Sequence, residues 1–225
     1  MIVVDKVTKK YGNKKVLDNV SFEIDKGEFV SIIGPSGAGK TTMIHALIGA
    51  EEIDEGKILI DDYDISKMKP AKIQNVRKMI GIVFQDYKLL PKRTVFENVA
   101  FALEVSGFPR KFINQRTVEV LRITGLEDQR NHFPKQLSGG EKQRTAIARA
   151  LVHDPELIMA DEPTGNLDPE SAKTIVELLL RINKNGKTVI LATHNKAIVD
   201  HIKKRVILLE RGKISSDRKN AGYNN

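Results

Sequence analysis

Phe29-Val30-Ser31-Ile32-Ile33-Gly34-Pro35-Ser36-Gly37-Ala38-Gly39-Lys40-Thr41-Thr42 is the stretch from which the rest of the chain can be read. Five residues suited to a buried strand run straight into a glycine-rich loop. Lys40 to Ile48 then has helical character up to a stop at Gly49. Gly34 to Thr41 satisfies G-x-x-x-x-G-K-[ST], with the strand before it and the helix after it that this pattern requires. The glycines let the backbone curl so that N–H groups face phosphate oxygens, and the helix adds the positive end of its dipole. Lys40 is expected to reach the β- and γ-phosphates and the Thr41 hydroxyl to ligate Mg²⁺. Gly34, Pro35, Ser36, Gly37, Ala38, Gly39, Lys40, Thr41 and Thr42 are thus the expected nucleotide contacts, with ATP and Mg²⁺ as the cofactors.

Further along, Leu157-Ile158-Met159-Ala160-Asp161-Glu162 is an apolar strand ending in two carboxylates. In a parallel sheet, ligand sites lie at the carboxyl ends of strands. Asp161 is therefore expected in the Mg²⁺ shell, and Glu162 where a group could polarise an attacking water. Taken alone, an Asp-Glu pair is only a solvated strand end; beside a phosphate loop it gains weight.

Around these anchors, strand and helix signals alternate. Ile2-Val3-Val4 and Val20 to Ile24 flank the turn-like Gly12-Asn13. Ile58-Leu59-Ile60, Ile80 to Phe84, Thr188 to Ala192 and Arg205 to Leu209 are further strands. Residues 170–183 carry a helical stripe at Ile175, Leu178, Leu179 and Ile182. Between them, Phe96, Val99, Ala100 and Leu103 have amphipathic helical spacing, Val118, Leu121 and Arg122 suggest a second helix, and strand signals are missing. The expected fold is α/β: a P-loop core with a mainly parallel sheet, an N-terminal antiparallel β subdomain and an inserted helical subdomain. The expected boundaries are 1–86 and 137–216 for the core with its β subdomain, 87–136 for the helical subdomain, and 217–225 for a loose polar tail, DRKNAGYNN.

Composition narrows the function. With 225 residues and 40% hydrophobic content there is material for one compact domain. There is no cysteine, hence no disulfide and no thiolate metal site. No run approaches the roughly 18 apolar residues of a membrane-spanning helix, and the N-terminus is too charged for a secretory signal. Action at a membrane would go through a partner. The net charge of +8 is spread along the chain, trp is absent and aromatics are 5%, so no nucleic-acid partner is expected.

Leu137-Ser138-Gly139-Gly140-Glu141-Lys142-Gln143-Arg144 decides the class. Locally it is a helix start, with Ser138 as N-cap and Glu141 completing a capping box. LSGGEKQR also resembles the signature of the ABC ATPase superfamily, and its spacing from the phosphate loop and the acidic strand matches. The resemblance covers nearly the whole chain. It implies that Tyr11 stacks on adenine and that Gln85 touches Mg²⁺ and the attacking water. Asn166-Leu167-Asp168 would be the D-loop, and His194 the switch histidine beside the γ-phosphate. Asn195 departs from the pattern, which usually has an acidic residue there. The resemblance further implies a homodimer in which each ATP lies between one copy's phosphate loop and the other's Ser138 and Gly140.

Arg77 to Leu90, followed by Thr94 to Val99, resembles the bacterial cell-division members of that superfamily. That implies a polytopic membrane partner acting on a peptidoglycan hydrolase, possible contact with division-ring proteins, and a place at the cytoplasmic face of the membrane. Exporter and lipoprotein-releasing cassettes share Ala160 to Asp168 and are the alternative. A soluble DNA-repair or translation cassette fits less well, since there is one cassette and no heptad run. Tyr87, Leu89 and Leu90 are expected either to contact the membrane partner or to pack the helical lobe onto the core.

Overall fold

The computed structural model describes residues 1–219 and 221–222. Its elements, in order, are β1 (Ile2–Tyr11), β2 (Lys14–Ile24), β3 (Phe29–Ile33), α1 (Lys40–Leu47), β4 (Glu55–Ile60), β5 (Tyr63–Asp64), α2 (Pro70–Arg77) and β6 (Ile80–Val83). There follow α3 (Val95–Val105), α4 (Arg110–Ile123), α5 (Gly139–Leu151), β7 (Leu157–Asp161), α6 (Pro169–Lys184), β8 (Thr188–Thr193), α7 (Lys196–Ile202), β9 (Arg205–Glu210) and β10 (Lys213–Arg218).

Two sheets form. The N-terminal one has the order β2-β1-β4-β5, all antiparallel; the second has the order β10-β9-β3-β8-β7-β6. In the second, β9, β3, β8, β7 and β6 run parallel, and only β10 is antiparallel, at the edge. β3, β7 and β8 are buried at every position, as strands covered on both faces must be. Successive residues feed opposite cores. Ile158, Val189 and Leu191 pack with α3 to α6 on one face. Met159, Ile190 and Val30 pack with α1 and the antiparallel sheet on the other. The helical lobe's Val95, Val99, Leu103 and Val120 belong to the first of these cores, so the lobe shares its interior with the sheet. Ile175, Leu178, Leu179 and Ile182 of α6 are buried there as their spacing predicts.

The lobe's first helix has a local start signal that is fully used. Thr94 caps α3 by accepting from the Glu97 backbone N–H at 3.2 Å, and the Glu97 carboxylate accepts from the Thr94 N–H at 2.7 Å.

The expectation of a loose tail from residue 217 needs correcting. Asp217 and Arg218 complete β10, and the Arg205 guanidinium holds the Asp217 carboxylate through Nε at 2.8 Å and Nη2 at 2.6 Å. Ala221 is buried against Ile33, Val199 and Val206, and its N–H donates to the Lys204 carbonyl at 3.1 Å. A bidentate guanidinium–carboxylate pair and a buried methyl hold down a segment that reads as polar. Residues 220 and 223–225 of the expected tail lie outside the described residues.

Candidate nucleotide site

The parallel sheet brings the candidate residues to one edge. Register pairs Ile33 with Thr193, Ala192 with Asp161, and Ala160 with Val83. The next residues along each strand are Gly34, His194, Glu162 and, two beyond Val83, Gln85. All four emerge at the carboxyl ends of adjacent parallel strands, where such folds place their ligands.

The phosphate loop depends on glycine. Gly34 has φ 153°, and a Cβ there would lie 2.1 Å from the Leu209 carbonyl oxygen. Gly39 has φ 107° and would meet the Val16 carbonyl at 2.8 Å. Only glycine lets the loop turn this tightly against β9 and β2. Lys40 is buried, and its ammonium donates to the Gly34 carbonyl at 2.9 Å and the Pro35 carbonyl at 3.2 Å. It also lies 3.6 Å from Glu162 Oε1.

Glu162 adopts φ 46°, a left-handed conformation that carries a cost of about 1–3 kcal/mol in a non-glycine residue. Its N–H donates to the Ala192 carbonyl at 2.9 Å. The carboxylate is surrounded by donors: the Thr193 hydroxyl at 3.2 Å and the His194 N–H at 3.4 Å on Oε2, and His194 Nδ1 at 2.7 Å on Oε1. Strain together with convergent donors fixes one carboxylate orientation, facing the lysine of the phosphate loop. Ser36, Gly37, Gly39, Lys40, Thr41, Thr42, Gln85, Glu162 and His194 line one open cleft.

Asp161 differs from its neighbour. It is 7% exposed, and Oδ1 is buried without a hydrogen-bond partner. Burial raises its pKa, while a hydrogen bond from Thr41 pulls the other way. A carboxyl with a raised folded-state pKa weakens the fold as pH rises from the unfolded value through the folded one. A cation would reverse that. An orphaned carboxylate oxygen beside a hydroxyl is a hard-oxygen set that fits Mg²⁺ completed by phosphate and water. Asp161→Asn is therefore expected to stabilise the nucleotide-free chain by about 1 kcal/mol, or about 2–4 °C, while abolishing Mg²⁺-dependent turnover. Calorimetry and an ATPase assay check the two halves.

Gln85 lies against Gly165, beside the D-loop segment: a Cβ on that glycine would meet its Nε2 at 2.9 Å. Beyond it, Tyr87 and Lys88 both have left-handed φ, 54° and 49°. The Arg149 guanidinium of α5 donates to the Tyr87 carbonyl at 2.8 Å and the Lys88 carbonyl at 2.5 Å. Burial holds the Arg149 pKa below its ordinary value. Tyr87, Leu89 and Leu90 are half-buried, and Leu90 N–H donates to Asn98 Oδ1 at 2.7 Å.

Ser138, Gly140 and Asp168 gather elsewhere. Ser138 is an exposed N-cap, accepting from the Glu141 N–H at 3.2 Å, while Glu141 accepts from the Ser138 N–H at 2.8 Å. Asp168 caps α6 through the Ser171 N–H at 2.9 Å, and a Cβ on Gly140 would lie 3.0 Å from Ser171 Oγ. The signature turn and the D-loop are thus packed together, and none of these three residues lines the cleft of the phosphate loop. Tyr11 is exposed, and Lys9 Nζ sits 5.1 Å from its ring centre. Asn195 caps α7 by accepting from the Ile198 N–H at 3.3 Å, a task an acidic residue performs equally well.

Sequence reasoning passed over Thr193 and Arg149. Thr193 ends a strand whose polar last residue borders His194. Arg149 is a lone cation in Ala146-Ile147-Ala148-Arg149-Ala150, a run otherwise of core residues.

A family profile described as ABC transporter matches residues 17–165. The chain belongs to this family of ATP-binding cassettes. It is 50% identical over 224 residues to the cell division ATP-binding protein FtsE of Bacillus subtilis, covering 99% of this chain and 98% of that protein. The methionine import ATP-binding protein MetN of Clostridioides difficile is 42% identical over 215 residues, covering 95% of this chain and 67% of that protein. Among solved structures, the ATP-binding cassette MJ0796, dimeric in a post-hydrolysis state with ADP and Pi, superposes with a TM-score of 0.89 at 37% identity. That match covers 99% of this chain and all of the other.

Proposed function

We propose that this chain hydrolyses ATP as the nucleotide-binding subunit of a cell-division complex, and that two copies close head to tail around two ATP molecules. The observation that carries the hydrolytic reading is the Glu162 carboxylate, aimed at 2.7 Å from His194 Nδ1 and 3.6 Å from Lys40 Nζ in the cleft of the phosphate loop. The loop N–H groups and Lys40 hold the β- and γ-phosphates. Thr41, Asp161 and Gln85 would hold a Mg²⁺, which would supply positive charge to the phosphate oxygens. Tyr11 offers an exposed ring to adenine. Water attacks the γ-phosphorus, Glu162 accepts its proton, and the bond to the β–γ bridging oxygen breaks to give ADP and phosphate. His194 and Gln85 orient the water and the departing phosphate.

Ser138, Gly140 and Asp168 sit apart from the cleft, and their position supports a role at the nucleotide of the other copy. The exposed start of α5 presents N–H groups and a positive dipole end to that γ-phosphate. Losing the shared phosphate weakens the closed dimer, so ATP acts as a ligand with different affinity for closed and open states. The MJ0796 cassette, dimeric with ADP and Pi, supports a homodimer.

FtsE relatives across almost the whole length support the cell-division role over transport; the MetN match covers a smaller share of that protein. No helix among the described residues is long and apolar enough to cross a membrane. The likeness to FtsE supports a polytopic membrane partner similar to FtsX. Half-buried Tyr87 and Leu90, next to Gln85, are the proposed contact. Tyr87→Glu with Leu90→Glu is expected to cut co-purification of the membrane subunit at least about tenfold while sparing nucleotide affinity. Unchanged co-purification would refute the contact, and identifying the co-purified subunit separates this reading from a transporter.

A further inference from the structure

We infer that Arg149 is a positioning residue for Gln85: it holds the strained turn at Tyr87-Lys88 and so fixes where the glutamine sits over the nucleotide. The inference rests on the proposed role of Gln85.

Two consecutive non-glycine residues in the left-handed region, φ 54° and 49°, do not persist unless their surroundings hold them there. Within the turn, Lys88 N–H donates to the Asp86 carbonyl and the Lys88 ammonium pairs with the Asp86 carboxylate; from outside it, one side chain of another element grips both strained carbonyls. The Arg149 guanidinium spans both carbonyls of the turn, at 2.8 Å and 2.5 Å, and a planar fork does this as no point charge can. Its hydrogen bonds are to the turn, and no carboxylate pairs with it among the described ion pairs. A half-buried cation without a counter-ion is costly to keep for stability alone, since an apolar residue would pack there more favourably.

The turn is also held at its other faces. Gln85 abuts Gly165 beside the D-loop, and a Cβ on Gly139 would lie 3.4 Å from the Tyr87 hydroxyl. Arg149 belongs to α5, the helix whose first turn contains Gly139 and Gly140. One rigid helix therefore carries the signature turn at its start and the clamp on the glutamine loop at its end. A shift of α5 on the approach of a second copy is passed to Gln85 through two hydrogen bonds.

The test uses the full chain with Mg-ATP. Arg149→Lys keeps the charge but reaches only one carbonyl. We expect kcat to fall about tenfold while KM and ATP affinity stay within about twofold. If Arg149 acts through Gln85, the double variant Gln85→Ala/Arg149→Lys turns over within about twofold of Gln85→Ala alone. Lys88→Gly, which accepts the left-handed conformation without strain, is expected to restore part of the rate lost in Arg149→Lys. Hydrogen exchange supplies a readout independent of turnover: amides of residues 86–90 should exchange faster in Arg149→Lys, with β7 and β8 unchanged. A wild-type kcat, multiplicative losses in the double variant, no rescue by Lys88→Gly, or uniformly faster exchange would each overturn the inference. A wild-type rate for Gln85→Ala alone would instead remove the reading of Gln85, and this inference with it.

Discussion

Glu162→Gln is expected to keep ATP bound while slowing its hydrolysis by about 10²–10⁴-fold, the usual contribution of a positioned general base. The substitution is nearly isosteric, and the amide oxygen can still accept from the Thr193 hydroxyl and the His194 N–H, which now meet Glu162 at 3.2 Å and 3.4 Å. The left-handed backbone at 162 is unchanged by the swap, so the geometry of the cleft survives. What disappears is the proton acceptor facing the γ-phosphate. With the shared phosphate retained, the closed dimer has no route to open, and a long-lived ATP-bound dimer accumulates. Single-turnover phosphate release and sedimentation in Mg-ATP measure the two effects. Hydrolysis at the wild-type rate would show that another group removes the proton.

Lys40→Ala is expected to weaken ATP binding by about 10²–10³-fold, the loss of about two charge-assisted hydrogen bonds at roughly 1.5–2 kcal/mol each. Lys40 is buried, and its ammonium is already gathered by the Gly34 and Pro35 carbonyls at the mouth of the loop, so little ordering remains when phosphate arrives. The fold is expected to tolerate the change. Glu162 keeps its contacts with Thr193 and His194, and the φ values of Gly34 and Gly39 do not depend on the side chain at 40. Isothermal titration with Mg-ATP in the Glu162→Gln background separates binding from turnover. Undiminished affinity would mean that the loop backbone alone holds the phosphates.

Much of this fold was legible because its strands announce themselves. Phe29 to Ile33, Leu157 to Ala160 and Thr188 to Ala192 are buried on both faces, and such strands must be apolar throughout. The elements that the sequence does not mark lack that constraint. β10, KISSDR, is a polar edge strand held by one neighbour and a side-chain ion pair. α7 is a short helix, and α2 is mostly polar, with Ile73 and Val76 its buried apolar side chains among those described. The glycine loop and the acidic strand end could be found because phosphate and Mg²⁺ demand particular groups at particular spacings. Thr193 and Arg149 could not, because their importance comes from which strand or loop lies opposite them, and that is decided by tertiary packing. The separation of Ser138, Gly140 and Asp168 from the cleft is not visible in residue spacing either, because it depends on how the starts of α5 and α6 pack against each other.

The chain contains no cysteine, which makes a direct test of the two-copy site simple. One copy carries Ser138→Cys and a second, differently tagged copy carries Ser36→Cys, both with Glu162→Gln, and a short bis-maleimide is added. A cross-link between the two tags that forms with Mg-ATP, and does not form with ADP or without nucleotide, is the predicted result. A cross-link that never forms, or forms equally well without ATP, would contradict the placing of one copy's signature turn over the other's nucleotide.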